Sequence, residues 1–491
     1  MSETDRSTGE KPGHGVVVRA PNGDVIRYDP SGLVMRLSDR VIEDIALRLG
    51  TVPAAAGPAP AAPPVDDAAL DGVDAWDIRA EGDWLRFSAR MPGRQGARGF
   101  CRHRDGGTIL GDGPAPVLGL LALGGPSAAL ATPGAPVYPH HVVAPADDIG
   151  AVGMAGIEAA PETDRLEALR ECTHEALVAE TLLDWRMEAF APLPLFVTRA
   201  ETEAAPTAAD LSAGRAIENL RIAARNLRAA ATLMGRRAKI AAVCLDYALE
   251  DLSDSATAYR DGMLACMKAV ERALAAEGFD NPLFVRRFEN GLPGNAPKAA
   301  LDGQWELSWN HGEHRLVHSA PGYMFALDGY DRPTDGARRQ MAEMTAAAIA
   351  ASAAKDGTWR CPVLHLAERE PGKGDTIRVI AQAEGDLVLD PADPLGAGPA
   401  FGFRLSGDET GAAITGVMIA PDDPRAILVQ CDRPPGGKAL HLAYAVTRED
   451  DGDRATGALR DDWALQSATG VMLRRWALPA HLPVTGGRLG R

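Results

Sequence analysis

The stretch Leu120-Leu121-Ala122-Leu123-Gly124-Gly125-Pro126-Ser127 is an apolar run that stops on two glycines and a serine. A short apolar run that Gly and Pro terminate is typical of a buried strand. The turn after it places Ser127 at the carboxyl end of that strand, where open α/β sheets gather their ligands. The stretch therefore predicts a buried strand that ends at a site, with Ser127 as the candidate nucleophile.

Strands alternate with helices from this point onward. The predicted strands are 117–123, 193–198, 239–245, 283–288 and 315–319, and the predicted helices are 212–234, 255–277, 298–309 and 335–354. In the first of these helices, apolar residues recur at spacings of three and four, which gives one apolar face to lay on a sheet. The pattern predicts an α/β fold with a doubly wound, mostly parallel, flavodoxin-like sheet.

The rest of the chain divides by composition. A hairpin pattern at 16–28 and an apolar helical stripe at 37–49 predict an N-terminal anchor or oligomerisation arm over 1–52, and the prolines of 53–65 predict a linker. Short alternating runs predict a β-rich segment over 66–116 that enters the α/β domain of 117–356. Strand-like runs without long helical periods predict a C-terminal, jelly-roll-like β-sandwich over 357–491.

Charge and composition exclude several classes of protein. The 491 residues include 51 Lys and Arg against 67 Asp and Glu, and the formal charge of −16 would repel a phosphate backbone, so we expect no nucleic acid partner. No apolar run reaches the eighteen residues typical of a membrane span, and the first fifteen residues lack the apolar core of a secretory signal. We therefore expect synthesis in the cytoplasm and no membrane insertion. The six scattered cysteines predict neither disulfides nor a metal site, and no motif indicates a cofactor.

A second constellation lies about two hundred residues after Ser127, at Asp328-Gly329-Tyr330-Asp331-Arg332-Pro333-Thr334. Together with Gly125-Pro126-Ser127, it resembles the conserved blocks of the SGNH (GDSL-like) hydrolases, particularly their carbohydrate acetylesterase branch, which includes sialate O-acetylesterase-like proteins. The resemblance covers about half of the chain. It implies that Ser127 is the nucleophile and that the second stretch corresponds to the Asp-x-x-His block.

The chain departs from that family at the position of the catalytic base. Arg332 stands where the resemblance places the histidine, and an arginine cannot act as a base near neutral pH. Asp328 or Asp331 could at most orient a base that is absent. The Gln-Gly-Glu-x-Asp segment of the carbohydrate esterases corresponds to 247–251, where only Asp251 matches. A histidine from elsewhere remains an alternative base, and the candidates are His140, His141, His311, His314 and His318.

These departures predict a pseudo-esterase that keeps its site for binding. We expect an SGNH-like domain that binds a surface polysaccharide or an acetylated glycan, as part of a spike or fibre on a phage-like particle or gene transfer agent that lysis releases. Residues 1–65 would dock on a capsid or tail protein, and the chain would form a homo-oligomer. The predicted ligand-binding residues are Gly125, Tyr247, Asp251, Tyr330 and Arg332. Two alternatives are an active carbohydrate O-acetylesterase that uses Ser127 and a structural assembly protein without a ligand.

Overall fold

The computed structural model describes residue 70 and residues 72–486, together with the backbone of 15–19, 25–29 and 32–36. The chain divides into two compact units, 1–64 and 65–491. In the first unit, three antiparallel strands form one sheet: β1 (Gly15–Arg19), β2 (Val25–Asp29) and β3 (Gly32–Arg36). The pairing of β1 with β2 confirms the predicted hairpin. The predicted helical stripe at 37–49 and the linker at 53–65 lie outside the described residues.

The second unit opens with a four-stranded antiparallel sheet. Its strands follow one another in chain order: β4 (Ala75–Glu81), β5 (Trp84–Arg90), β6 (Ala97–His103) and β7 (Leu110–Gly111). Phe87 and Phe100 pack together in the small core of this sheet. The sheet leads directly into the central strand of the next one.

A seven-stranded sheet forms the centre of the second unit. Its strands are β8 (Val117–Gly124), β10 (Val142–Pro145), β11 (Leu166–Ala168), β13 (Leu195–Thr202), β14 (Ala238–Asp246), β15 (Leu283–Phe288) and β16 (Arg315–Pro321), in the order β11-β10-β13-β8-β14-β15-β16. All neighbours are parallel except β10 and β11. The carboxyl ends of β8, β14, β15 and β16 consequently open on the same edge of the sheet. Two short strands, β9 (Thr132–Pro133) and β12 (Glu171–Cys172), pair separately.

Six helices lie within the described residues: α1 (His174–Glu188), α2 (Ala208–Ser212), α3 (Arg215–Leu233), α4 (Ala256–Ala276), α5 (Lys298–Trp309) and α6 (Asp335–Ala353). Apolar residues of α3 and α4 share one core with Leu121 and Leu123 of β8. Those of α1 and α6 share another with Leu120, whose side chain points the opposite way. The helices predicted at 298–309 and 335–354 are confirmed to within one residue.

The C-terminal strands form two sheets over one core. The larger sheet has the order β20-β23-β26-β17-β18-β22-β21 and the smaller has the order β19-β24-β25. Their bounds are β17 (Val363–Arg369), β18 (Thr376–Gln382), β19 (Val388–Leu389), β20 (Phe403–Ser406), β21 (Ile414–Ala420), β22 (Asp423–Cys431), β23 (His441–Tyr444), β24 (Leu459–Gln466), β25 (Met472–Trp476) and β26 (Ala480–Thr485). Ile377 and Val379 of the larger sheet and Leu459 and Trp476 of the smaller sheet belong to one buried cluster.

The predicted fold class was wrong. The protein is a mixed α/β structure with 33% strand and 24% helix, and its strands are distributed over several sheets, so a doubly wound parallel sheet does not describe it. Even the central sheet is mixed, because β11 runs antiparallel to β10. The C-terminal strands form one sheet of seven strands and one of three. Strands of two to four residues, such as β7, β9 and β19, are too short to leave a periodic signal in the sequence.

The division at residue 64 makes a prediction about truncation. A chain of residues 65–491 should fold with an unchanged melting temperature, because the buried clusters of the central and C-terminal sheets lie wholly within it. The deletion should at the same time remove self-association if residues 1–64 are the oligomerisation arm. Thermal unfolding by circular dichroism and light scattering test both parts. A truncated chain that keeps the full-length oligomeric state would contradict the role of the arm.

Candidate functional site

A cavity of about 480 Å³ lies at the carboxyl ends of β8, β14, β15 and β16. This is the edge of a parallel sheet at which ligands are commonly bound. Charged side chains of both signs line the cavity together with many apolar ones. The charged and imidazole-bearing residues that line it are His174, Glu175, Asp246, Glu250, Arg286, Arg287, Glu289, Asp331, Arg332, Arg338 and Arg454.

Ser127 lines this cavity from the turn that follows β8. The turn is a short 3₁₀ helix over Pro126–Ala129, and the backbone N–H of Ser127 donates to Glu250 Oε1 at 3.3 Å. Gly125 donates its own N–H to the Asp246 carbonyl at 3.0 Å. A Cβ on Gly125 would lie 3.0 Å from Glu250 Oε1, so the glycine lets that carboxylate approach the turn. Gly125 therefore acts by its small size, and the Ser127 side chain stays half-buried at the cavity wall.

The histidines that were candidates to replace the missing base do not line the cavity. His140 and His141 hydrogen-bond to backbone carbonyls near the four-stranded sheet. His314 contacts Glu271 at 2.7 Å and the carbonyl of His314 contacts the His311 ring, near the opposite end of β16. His318 is 6% exposed and packs on Phe288, and burial holds its pKa well below the ordinary value. None of them hydrogen-bonds to Ser127 within the described part of the chain.

His174, which the sequence argument missed, does line the cavity from the first turn of α1. Its Nε2 lies 3.1 Å from Thr345 Oγ1, and Thr345 Oγ1 in turn donates to Ser319 Oγ at 3.4 Å. Burial, followed by the positive charges of Arg287 and Arg338, lowers the pKa of His174 to about 3. The imidazole is therefore neutral over the whole physiological pH range. No hydrogen bond joins it to Ser127 among the described residues.

The loop that resembles an Asp-x-x-His block is organised by Asp328. Its carboxylate accepts the backbone N–H groups of Tyr330 at 2.8 Å and Arg332 at 3.0 Å, and it pairs with the Arg332 guanidinium at 3.1 Å. These contacts lower the pKa of Asp328, with the backbone hydrogen bonds as the largest cause. Asp331 and Arg332 line the cavity, whereas Asp328 does not. Tyr330 is 80% exposed beside the Arg332 guanidinium, which lies 5.0 Å from its ring centroid.

Tyr247 and Asp251 lie in the packing behind the cavity and not on its wall. Tyr247 is 1% exposed, and its hydroxyl donates to the Ala205 carbonyl at 2.7 Å. Asp251 is 2% exposed, and its carboxylate accepts the N–H groups of Ala208 at 2.7 Å and Ser253 at 2.8 Å. The predicted ligand contacts of both residues therefore need correction, because a ring and a carboxylate in these positions hold α2 and the loop after β14 together.

The charged centre of the cavity comes from residues that the sequence argument did not select. Asp246 ends β14, and Arg287 and Glu289 lie at the end of β15. Arg287 Nε donates to Glu289 Oε1 at 2.6 Å, and Arg287 Nη2 lies 3.9 Å from Asp246 Oδ1. Burial raises the pKa of Asp246 to about 6, although Arg287 opposes the rise. Burial acts in the same direction on Glu289, but Arg287 and Arg454 outweigh it and lower the pKa of Glu289.

Glu175 adds a buried carboxyl beside this group. It lies in the first turn of α1, is 2% exposed, and its Oε2 has no hydrogen-bond partner among the described residues. Burial raises the pKa of Glu175 to about 7, and the nearby Asp246 charge adds to the rise. The cavity therefore contains a carboxyl that is protonated below neutral pH.

Arg454 reaches the cavity from the C-terminal part of the chain, in the loop between β23 and β24. Its Nε donates to Asn290 Oδ1 and its Nη1 donates to the Phe325 carbonyl, both at 3.1 Å. A Cβ on Gly322 would lie 2.9 Å from Arg454 Nη2, so the glycine makes room for the guanidinium. Burial lowers the pKa of Arg454 to about 10, although the Glu289 charge opposes the fall. The C-terminal strands therefore contribute to the site and do not merely follow it.

No family model matches the chain, and no curated protein matches it. The resemblance to SGNH hydrolases accordingly stays a prediction. Within residues 72–486, no group of three or more His, Cys, Asp or Glu side chains is placed to hold a metal ion. None of the helices in the same range is both long and apolar enough to cross a membrane.

The buried Glu175 carboxyl predicts a pH-dependent stability. Its pKa of about 7 in the folded protein exceeds the ordinary 4.5, so its contribution is fully present below pH 4.5 and is lost as the pH rises through 7. Glu175→Gln should remove that loss and raise the free energy of unfolding at pH 8, relative to the native chain, by on the order of 3 kcal/mol. The gain should be much smaller at pH 4.5. Denaturant unfolding at the two pH values measures it.

Glu188→Gln is the matched control for this variant, because Glu188 is exposed at the other end of α1. It should shift unfolding by less than about 0.5 kcal/mol at either pH. An equal effect of Glu175→Gln at pH 4.5 and pH 8 would show that the carboxyl does not titrate in this range.

Proposed function

We propose that the cavity binds a carbohydrate and that Ser127 does not hydrolyse an ester bond of this ligand. The observation that carries the proposal is the composition of the cavity wall, which holds both carboxylates and guanidinium groups among its apolar residues. A sugar hydroxyl both donates and accepts hydrogen bonds. Carboxylates accept from such hydroxyls and guanidinium groups donate to them, so a wall of this kind offers partners for several hydroxyls at once.

The rim of the cavity supports the same proposal. Sugars commonly present a C–H face to an aromatic ring, and Tyr330 offers an exposed ring beside Arg332, which lines the cavity. Asp328 holds the loop that carries both residues, through the backbone N–H groups described above. Tyr330 does not itself line the cavity, but its ring would meet a sugar that extends past Arg332, without reorganisation of the loop. Tyr247 is buried and takes no part in this platform.

The biological setting belongs to the proposal as well. We place the chain as a spike or fibre component of a phage-like particle or gene transfer agent that attaches to surface polysaccharide, with residues 1–65 docked on the particle. The division at residue 64 supports this arrangement, because a separate compact unit is what an anchoring arm requires. The acidic balance of the chain supports a partner other than nucleic acid.

Ester hydrolysis is the second candidate function, and one observation favours it. His174 lines the same cavity as Ser127 and holds a neutral imidazole, which is the form that a general base needs. Two observations count against it. The described hydrogen bond of the imidazole joins Nε2 to Thr345, and a pKa of about 3 makes the ring a weak base.

The two candidates predict different esterase results. On the binding proposal, the native chain should hydrolyse p-nitrophenyl acetate and acetylated glycans no faster than Ser127→Ala, because no base is hydrogen-bonded to the serine among the residues that the structure describes. Loss of a working triad member costs several orders of magnitude in rate, so the comparison is decisive. A native rate that disappears in both Ser127→Ala and His174→Ala would establish the esterase instead.

Glycan binding should depend on the exposed ring at the rim. Tyr330→Ala should weaken binding to the preferred polysaccharide by roughly 1 to 3 kcal/mol, because the aromatic contact is lost while the loop hydrogen bonds of Asp328 involve only the backbone of residue 330. A glycan array identifies the ligand, and calorimetry on the variant measures the loss. Phe190→Ala is the control, since Phe190 is 63% exposed and does not line the cavity. If Tyr330→Ala and Phe190→Ala bound the glycan equally well, Tyr330 would not belong to the site. If the array showed no glycan ligand at all, the result would favour a structural assembly protein.

A further inference from the structure

We propose that the cavity also cleaves a glycosidic bond of the carbohydrate that it binds, with Asp246 as the general acid and Glu289 as the nucleophile. This inference rests on the carbohydrate ligand of the proposed function. Both carboxylates line the cavity, and they enter it from the carboxyl ends of adjacent parallel strands, β14 and β15. Glycoside hydrolysis requires two carboxyl groups that flank one bond.

Arg287 sets the spacing of the pair. Its Nη2 lies 3.9 Å from Asp246 Oδ1 and hydrogen-bonds to Glu289 Oε1. Two oxygens that share one nitrogen in this way lie closer than the roughly 6.5 to 9.5 Å at which an inverting enzyme fits a water between its carboxyl groups. Because this approach leaves no room for a water between Asp246 Oδ1 and Glu289 Oε1, the proposal takes the retaining mechanism, in which the carboxyl groups lie about 5 to 5.5 Å apart and one of them attacks the sugar.

The second oxygen of Glu289 is free to act. Glu289 Oε1 is held by Arg287, whereas Oε2 makes no hydrogen bond within the described residues. A Cβ on Gly322 would lie 3.1 Å from Oε2, so a larger residue at this position would crowd the oxygen. The Asp246 side chain is 33% exposed, while that of Glu289 is 9% exposed. The acid is therefore open to the cavity, and the nucleophile lies deeper.

The surroundings of the two groups favour opposite protonation states. The charged groups that face Asp246 are Glu175 from α1, Glu250 from the loop after β14, and Arg286, Arg287 and Glu289 from β15 and its end. Burial raises the pKa of Asp246 to about 6. The charged groups that face Glu289 are Arg286 and Arg287 from β15, Asp246 from β14 and Arg454 from the C-terminal loop. Burial acts to raise the pKa of Glu289, but these three arginines outweigh it and lower the pKa. A pair of carboxyl groups whose pKa values are driven apart is the usual division between acid and nucleophile.

The chemistry follows in two balanced steps. Protonated Asp246 gives its proton to the glycosidic oxygen while the bond from that oxygen to the anomeric carbon breaks. Glu289 Oε2 forms a bond to the anomeric carbon, and the leaving sugar departs with a new hydroxyl. A water then gives a proton to the Asp246 carboxylate and attacks the anomeric carbon, and the ester bond to Glu289 breaks. The product is a reducing sugar of retained configuration, and both carboxyl groups return to their first state.

Incubation of the full chain with polysaccharides that it binds tests the proposal directly. New reducing ends should form, and NMR of the first product should show retained anomeric configuration. Asp246→Asn and Glu289→Gln should each lower the initial rate by at least about a thousandfold. Asp280→Asn is the matched control, because Asp280 is exposed just before the amino end of β15; it should leave the rate unchanged.

Two further measurements distinguish chemistry from a loss of folding. The native rate should fall as the pH rises above about 6, where Asp246 loses its proton, and the Asp246→Asn variant should lack this descending limb. Azide should restore turnover to Glu289→Ala and give a glycosyl azide of inverted configuration. If either carboxylate had only a structural role, Asp246→Asn would keep the native shape of the pH profile, and azide would not change the product of Glu289→Ala.

The outcomes separate this inference from the proposed function. A native chain that binds a polysaccharide but releases no reducing ends from it overturns the hydrolysis and leaves carbohydrate binding intact. A product of inverted configuration overturns the role of Glu289 as nucleophile. A chain that binds no carbohydrate overturns the proposed function and the inference together.

Discussion

The close approach of β8 to β14 at Gly124 is the constraint on which the cavity depends. A Cβ at that position would lie 2.2 Å from the Asp246 carbonyl oxygen and 2.7 Å from the Ala128 side chain. No side chain fits there, so glycine lets the two strands stay paired to their last residues. The Asp246 carbonyl then accepts the N–H of Gly125, and the Asp246 side chain extends into the cavity. The position of Ser127 and the position of the acidic centre are both fixed by that one contact.

Arg287 holds the negative charges of the cavity together. A buried carboxylate is costly unless a cation lies close to it, and the cavity brings several carboxyl groups together. Arg287 contacts Asp246 and Glu289 at once, so one guanidinium offsets two negative charges. It also places positive charge beside His174, which stays neutral. The polar centre of the cavity thus depends on one side chain at the end of β15.

The sequence was informative where local patterns decide structure. The strand at 283–288 and the helix at 298–309 have the predicted bounds, because apolar runs and helical spacing are local signals. Helix α1 was missed because its apolar residues do not form a clear stripe. Ser127, Asp331 and Arg332 do line one cavity, but no local rule shows which way a side chain points, and so Tyr247 and Asp251 were expected on the wall when they lie behind it. In the sequence, Arg287 and Glu289 look like ordinary charged residues at the end of a strand. Only the pairing of β14 with β15 shows that they lie beside Asp246.

The presence of Arg454 in the cavity has a consequence for how this protein can be inherited and dissected. A gene fragment that encoded only residues 117–356 would supply every strand whose end lines the cavity. It would lack Arg454, however, and it would leave the Asn290 side chain without the C-terminal groups to which it hydrogen-bonds. Recombination at the boundary between the central and C-terminal sheets would therefore exchange Arg454 while leaving the other lining residues in place. The two regions must be transmitted, expressed and engineered as one heritable unit, even though their sheets are built from separate stretches of chain.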